Sequence, residues 1–228
     1  DLVRSRGLGD VYKRQISICV AGATSSGKTT LAGWLLTTIP DNKRIFTIEN
    51  GSRELALVRE KDGKVTNSVI HTLTRFSENE KQNIDQDMLL DMALRFNPEI
   101  ICVGEMRSSE AYTAQESART GHTVLTTIHS NSCESTYSRM RTLCKRKYDM
   151  DDEVLMDLVT EAFPIVVFTK QLENKKRRLM EIMECEITPM ERDILIPCSV
   201  MRLRKTGWKE INSSSMEPIK RCAVFQRA

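Results

Sequence analysis

Little in this chain of 228 residues suits a membrane span, a disulfide scaffold or a base-stacking surface. No apolar run approaches the roughly 18 residues that a membrane helix needs, so no membrane insertion is expected. Nothing reads as a signal peptide. The 7 cysteines are an odd count, scattered at Cys19, Cys102, Cys133, Cys144, Cys185, Cys198 and Cys222, with no C-x-x-C pair. That argues against zinc and against a disulfide framework; Cys19 and Cys102 lie inside apolar, strand-like runs and read as buried thiols of a reducing cytoplasm. Aromatic residues make up only 5% of the chain, too few for a stacking platform on single-stranded nucleic acid. The net charge of +3 comes from 34 basic and 31 acidic residues, so no field of one sign compels a nucleic-acid partner. No internal repeat is visible. What remains, 40% hydrophobic and 29% charged, is ordinary for a globular protein. The length suffices for one α/β domain with a sizeable core and a small appendage.

Against that background one stretch organises the rest: Gly22-Ala23-Thr24-Ser25-Ser26-Gly27-Lys28-Thr29-Thr30. It satisfies the Walker A pattern, Gly, four residues, then Gly-Lys-Ser/Thr. Before it, Ile16 to Ala21 is an apolar run of buried-strand length; after it, Leu31-Ala32-Gly33-Trp34-Leu35-Leu36 reads as the start of a helix. This is the strand–loop–helix context the motif needs. Glycines let the loop approach a ligand closely. The turned backbone makes an anion nest, and the helix N-terminus behind it favours phosphate. ATP with Mg²⁺ is the expected ligand, cradled by residues 22–30, with Lys28 on the β- and γ-phosphates and the Thr29 hydroxyl on the metal. In the empty site Lys28 is expected to stand exposed.

Residues 1–15 show no periodicity and carry four basic residues. They read as an extraneous segment or a basic linker and are set aside. Downstream, Arg44 to Ile48 reads as a strand ending in Glu49-Asn50-Gly51, an acidic residue where ligands bind in open α/β sheets. Glu54-Leu55 reads as a short helical turn, Asp62-Gly63 as a tight turn, and Val69 to Leu73 as a strand leading into Thr74-Arg75-Phe76. From Ile84 to Phe96, residues Met88, Leu89, Met92, Ala93 and Phe96 fall at helical spacing, and the Met-rich helices are expected to give these side chains to the core. Pro98 ends that helix. Ile100-Ile101-Cys102-Val103 is a fully apolar strand closing in Gly104-Glu105-Met106-Arg107, a Walker-B-like delivery of a carboxylate beside the loop. Ser108 to Arg119 reads as a helix with Gly121 as its stop. His122 to Ile128 reads as a strand ending in His129-Ser130-Asn131-Ser132. Ser135 to Lys145 and Asp151 to Phe163 read as amphipathic helices, Pro164 to Phe168 as a strand, and Leu179 to Cys185 as its hairpin partner. The basic run Lys175-Lys176-Arg177-Arg178 reads as a solvated turn. Alternating strands and helices predict a three-layer α/β domain with a mostly parallel sheet over residues 16–190. A small antiparallel, β-rich appendage is expected over 191–228.

Four signals fall at the ends of successive strands: the Walker A stretch, Thr47-Ile48-Glu49, Gly104 to Arg107, and Thr126 to Ser132. Together they resemble the Walker A, Asp box, Walker B and His box of the secretion-superfamily traffic ATPases, which power type II and type IV secretion, type IV pili and Tad pili. Thr74-Arg75, Ala93-Leu94-Arg95, Pro98, Thr120-Gly121-His122 and Met190-Glu191 look like the CpaF-type branch. The resemblance covers roughly residues 16–205. It implies a RecA-like P-loop NTPase core. It also implies a homo-hexameric ring peripheral to the inner face of the cytoplasmic membrane, with inner-membrane platform proteins as partners.

The resemblance further assigns roles. Glu105 becomes the Walker B carboxylate, acting on Mg²⁺-bound water or on the attacking water, and Glu49 a water-orienting or metal-linked carboxylate. His129 becomes a γ-phosphate sensor, with His122 a weaker candidate. Arg75 matches an arginine supplied across a subunit boundary, and Arg107 stands either on phosphate or on a carboxylate inside the fold. Three departures stand out. The Asp box reads Glu49-Asn50 rather than Glu-Asp, Ser108 replaces a small glycine, and the family's N-terminal domain has no counterpart here. A motor ATPase is therefore the first expectation. A nucleotide-gated interaction subunit with little hydrolysis is the alternative, and a RecA-like nucleic-acid enzyme is disfavoured.

Overall fold

The computed structural model describes residues 16–185, 197–204 and 207–210. Eleven strands and five helices are found there: β1 (Ile18–Gly22), α1 (Lys28–Thr37), β2 (Arg44–Glu49), β3 (Glu60–Lys61), β4 (Lys64–Val65), β5 (Ser68–Leu73), α2 (Gln86–Arg95), β6 (Ile100–Met106), α3 (Glu110–Arg119), β7 (Thr123–Ile128), α4 (Cys133–Cys144), α5 (Asp152–Ala162), β8 (Ile165–Gln171), β9 (Arg177–Cys185), β10 (Pro197–Arg204) and β11 (Gly207–Glu210). Nine of the strands form one sheet in the order β11-β10-β9-β8-β1-β7-β6-β2-β5. From β8 to β5 every neighbouring pair is parallel. From β8 to β11 every pair is antiparallel. The small β3–β4 hairpin stands apart, turned by Asp62-Gly63 as the dipeptide predicts.

Both faces of the parallel sheet are covered, which is why its strands read as continuous apolar runs rather than alternating ones. Alternate residues of one strand divide between two cores. Cys19 and Ala21 pack with Phe46, Ile101 and Val124 under α2 to α5. Ile18 and Val20 pack with Ile45, Cys102 and Leu125 against α1 and the Leu55–Leu57 segment. The expected three layers are therefore present.

Several elements start where their caps dictate. Asp85 accepts from the Met88 backbone N–H at 2.8 Å and starts α2. Ser132 and Ser135 make a reciprocal capping box, so α4 begins at Cys133, two residues before the sequence reading. Gly121, at φ 103°, follows the C-cap of α3 as expected.

Two expectations are corrected. The buried stripe of α2 is Gln86, Leu89, Leu90 and Ala93, whereas Met88 (55%), Met92 (37%) and Phe96 (42%) stand exposed. The helix packs by one face only, so apolar spacing overstates its buried share. Glu54-Leu55 forms no helical turn; the segment from 53 to 59 is irregular and is held by Glu49, described below. As expected, the stretch Leu179 to Cys185 pairs antiparallel with β8, as part of β9, and β9 to β11 continue the same sheet. The expected boundary at 190 and the pair Met190-Glu191 lie outside the described residues.

Cys19, Cys102, Cys133, Cys144 and Cys185 are free thiols, as expected of these positions. Burial pushes the thiols of Cys102 and Cys144 up to about 12 and those of Cys19 and Cys133 further still. A thiol reacts through its thiolate. Iodoacetamide at pH 8 is therefore expected to leave these four unlabelled in the native protein and to label all four in guanidinium chloride, read by peptide mass spectrometry. Rapid native labelling of Cys19 or Cys102 would show that the core opens.

Candidate functional site

The site is built at the carboxyl ends of β1, β2, β6 and β7. The loop after β1 folds back so closely that a Cβ at Gly22 would clash with the Thr169 carbonyl and the Ser26 hydroxyl. Thr169, from β8, shares a 3.0 Å hydrogen bond with Ser26 and donates to the Ala21 carbonyl at 3.2 Å. At the crest Ser25 takes a left-handed conformation, φ 62°, which costs a non-glycine residue about 1–3 kcal/mol. Gly27, at φ 97°, stands at the N-cap of α1, and no side chain caps that terminus. Its first backbone N–H groups are left for a ligand, and the helix dipole adds a positive potential there.

Lys28 is not exposed as expected: it is 8% accessible. Its Nζ donates to the Ala23 carbonyl at 3.0 Å and lies 3.4 Å from His129 Nδ1. Burial pulls the ammonium below the usual lysine range, the Glu105 charge works against that pull, and Arg107 adds to it. An ammonium can only donate, so His129 Nδ1 accepts and its other nitrogen faces Glu105. His129 Nε2 stands 2.7 Å from Glu105 Oε1. That approach lacks hydrogen-bond geometry, and Glu105 Oε1 is buried with no hydrogen-bond partner among the described residues. On the other oxygen, Arg107 Nε donates at 2.8 Å and Nη2 closes the fork. The Glu105 hydrogen bond raises the guanidinium further above its usual range. Of the two roles open to Arg107, the structure shows the carboxylate partner.

Glu105 gets its position from two features. The β6–β7 register shifts between Val103 and Met106, which turns the strand at Gly104-Glu105. Gly104 passes so close to β2 that a Cβ there would lie 3.2 Å from the Ile48 carbonyl. Neither is visible as more than a glycine in the sequence.

Glu49 is buried, at 3%, and largely engaged. Its Oε2 accepts from the backbone N–H groups of Glu54 (2.6 Å) and Leu55 (2.9 Å). Its Oε1 lies 3.4 Å from the Thr47 hydroxyl and 3.6 Å from His71 Nδ1. Burial lowers the pKa of His71, Arg53 adds to this, and Glu49 opposes it. Asn50 Oδ1 accepts from the Thr74 hydroxyl at 2.6 Å, which ties the end of β2 to the strap that carries Arg75.

A cavity of about 360 Å³ is lined by Lys28, Thr29, Glu49, Asn50, Glu105 and His129 among others. A second hollow, about 370 Å³, shares Thr29 and Leu55 with it and runs along α1 past Trp34. Arg75 and His122 are not brought to the cavity. The Arg75 backbone bridges to Ile84 and the residue is exposed. His122 precedes the amino end of β7, with its Nδ1 buried and unpartnered. Thr169 and Arg177, which touch the loop, were missed by sequence reasoning. Arg177 Nε donates to the Ser25 carbonyl at 2.9 Å, and it sits in the basic run read as a solvated turn.

A mostly parallel α/β sheet with a phosphate-type loop on an inner strand, and a carboxylate at the end of a strand two places further along, defines the class of protein. The chain belongs to the secretion traffic ATPases: the family model described as "Type II/IV secretion system protein" matches residues 6–190, beginning inside the segment set aside above. The chain is 30% identical over 179 residues to the type IV secretion system protein VirB11 of Bartonella quintana, covering 74% of this chain and 46% of that protein. In structure it is similar to the VirB11 ATPase of the Brucella suis type IV secretion system, solved in complex with sulphate (TM-score 0.65, 27% identity, 78% of this chain and 50% of that one). It is also similar to the Legionella pneumophila ATPase DotB (TM-score 0.59, 25% identity, 82% and 49%). The chain thus spans about half the length of the relatives it matches.

The anchoring of residues 53–59 by Glu49 is directly testable. Glu49→Ala leaves two backbone donors unpaired, one of them the buried Leu55 N–H. Hydrogen bonds to a charged group carry about 1.5–3 kcal/mol, so urea unfolding is expected to show a loss of about 2–3 kcal/mol. A change within about 0.5 kcal/mol, the range of an ordinary surface substitution, would show that the segment is held by something else.

Proposed function

We propose that this chain is the core of an ATP-hydrolysing motor for a type II or type IV secretion system or a Tad-type pilus. In this reading it couples hydrolysis to subunit motion in a homo-hexameric ring. The ring works at the cytoplasmic face of the inner membrane, on platform proteins embedded there. The observation that carries the reading is the run Lys28–His129–Glu105–Arg107 across the ends of β1, β7 and β6, with Glu105 Oε1 buried against His129 and without a hydrogen bond beside an uncapped helix N-terminus. That terminus and the loop N–H groups suit phosphate, and the sulphate named with the Brucella relative agrees with an anion site. Mg²⁺, when bound, supplies charge neutralisation at the phosphates; Thr29 and, through water, Glu105 are the residues that would hold it.

Within the cavity each residue has a task. Lys28 leaves the Ala23 carbonyl and takes the β- and γ-phosphate oxygens. Glu105 Oε1, which makes no hydrogen bond with His129, turns to orient the attacking water and draws its proton, while Arg107 keeps the carboxylate aimed. His129 donates from one ring nitrogen or the other as charge moves to the phosphate, reporting its presence to Glu105. Arg75 lies too far out to act on its own cavity and suits the site of a neighbouring subunit. Leu73 (42%), Phe76 (68%) and Ile84 (37%), exposed in and beside the strap that carries it, support a subunit boundary there.

The deciding experiment measures ATP turnover and equilibrium nucleotide binding together. Glu105→Gln is expected to cut turnover by at least about 10²-fold, the scale of a general base, with nucleotide affinity kept. Unchanged turnover would remove Glu105 from the chemistry.

A second reading, a nucleotide-gated interaction subunit with little hydrolysis, is favoured by Asn50, which offers no charge, and by Glu49, whose Oε2 is already used by backbone N–H groups. If charge at position 50 matters to hydrolysis, Asn50→Asp should raise kcat more than it changes KM, because the benefit appears as charge reorganises in the transition state. A tenfold gain corresponds to about 1.4 kcal/mol. Side-by-side steady-state kinetics check this, and an equal or lower kcat in Asn50→Asp would place position 50 outside the chemistry.

A further inference from the structure

We propose that Arg177 is a positioning residue of the nucleotide site: it clamps the crest of the phosphate loop from the β8–β9 side and so sets the affinity for ATP and ADP alike. The inference rests on the reading of the cavity as a nucleotide site. Arg177 lies 152 positions from Ser25 in the chain, yet its Nε donates to the Ser25 carbonyl at 2.9 Å. Its methylenes lie over Gly27, where an added Cβ would sit 3.1 Å from Arg177 Cδ. The clamp therefore bears on the two loop residues whose backbones are left-handed, Ser25 at φ 62° and Gly27 at φ 97°. A residue in that conformation persists only when its surroundings over-determine it.

The hairpin that carries Arg177 is itself well fixed. β8 pairs with β1 along five residues, from Ile18↔Ile165 to Gly22↔Thr169. β9 pairs with β8 up to Gln171↔Arg177. Thr169 fixes the base of the loop from the same hairpin, so loop base and crest are held from one side.

The sheet order tells which end of the ligand this is. Glu105 and His129 come from β6 and β7, on one side of β1, and Arg177 comes from β9 on the other. The phosphate that is attacked faces Glu105, so the nucleoside end leaves the loop toward β8 and β9. Arg177 is exposed, and its two Nη nitrogens donate to nothing among the described residues, so the guanidinium has donors left for the ribose or the α-phosphate. A residue at that end acts on ATP and ADP in the ground state and has no part in the attack on the γ-phosphate.

The test compares Arg177→Gln with Lys176→Gln, which removes the same charge one residue away. A fluorescent ADP analogue and ATP are titrated against both and against the unsubstituted chain. Arg177→Gln is expected to weaken both nucleotides about five- to tenfold, with kcat at saturating ATP within twofold; Lys176→Gln is expected to stay within twofold throughout. Hydrogen exchange in the nucleotide-free protein is the second readout. Amides of residues 22–28 should exchange about tenfold faster in Arg177→Gln, with the thermal midpoint unchanged because the side chain is exposed. Equal losses in the two variants would reduce the effect to general electrostatics and overturn the clamp, as would an unchanged affinity with unchanged exchange. Failure of the unsubstituted chain to bind nucleotide would refute the nucleotide reading instead, and the exchange measurement would then decide the clamp by itself.

Discussion

The close backbone approach at Gly22 is the constraint on which the rest of the site depends. The chain leaves β1 there and returns over its own strand end, and there is no room for a side chain between the Ser26 hydroxyl and the Thr169 carbonyl. That reversal aims the loop N–H groups and the uncapped start of α1 at one point. It works because β1 is buried on both faces and paired on both edges, by β7 and β8. The two cores that meet at β1 place a rigid strand under a strained loop, and strain of this kind is retained only where the surrounding structure can hold it.

Charge in the site is arranged as a line. Lys28 brings one end and Arg107 the other, with His129 and Glu105 between. The buried ammonium of Lys28 is held on the Ala23 carbonyl, so a bound anion would meet a lysine already placed at the loop and would not have to order a free side chain. The pull of burial on the lysine and the opposing pull of Glu105 show the same balance. A buried cation is tolerable because a carboxylate stands one residue beyond its neighbour.

Much of this was legible in the sequence, and what was not has physical causes. The parallel strands could be read because two-sided burial forces unbroken apolar runs, and the loop because Gly-x-x-x-x-Gly-Lys-Thr leaves few alternatives. Glu49, Asn50, Glu105 and His129 could be placed at one edge because strand ends converge there in any such sheet. Side-chain commitments could not be read. That Oε2 of Glu49 is spent on the Glu54 and Leu55 N–H groups, or that Lys28 is buried, depends on the fold of an irregular segment and on contacts over 100 positions apart. The α2 helix shows the opposite failure: Met88, Met92 and Phe96 have core-like spacing but face outward, because periodicity reports which residues could share a face and not which face has a neighbour. Arg177 was hidden by its company, one of four consecutive basic residues running from a turn into β9, of which only the last-but-one reaches the loop.

Asn50 shows how a local departure from a family pattern can leave the geometry intact. Its carbonyl oxygen accepts from Thr74 at 2.6 Å, a bond that an aspartate oxygen at the same position could also accept. The Thr74 backbone N–H in turn donates to the Glu49 carbonyl at 3.0 Å, so the end of β2 grips the start of the Arg75 strap by one side-chain and one backbone hydrogen bond. The amide thus keeps the cavity wall connected to the edge strand β5 and to the exposed arginine beyond it, while removing a negative charge from beside Glu49. Position and charge are separable here because the hydrogen bond needs only an acceptor, which both side chains supply. A wall built this way retains its shape whatever the charge at position 50, and the electrostatic demand on the site falls more heavily on Glu105, the carboxylate held between His129 and Arg107.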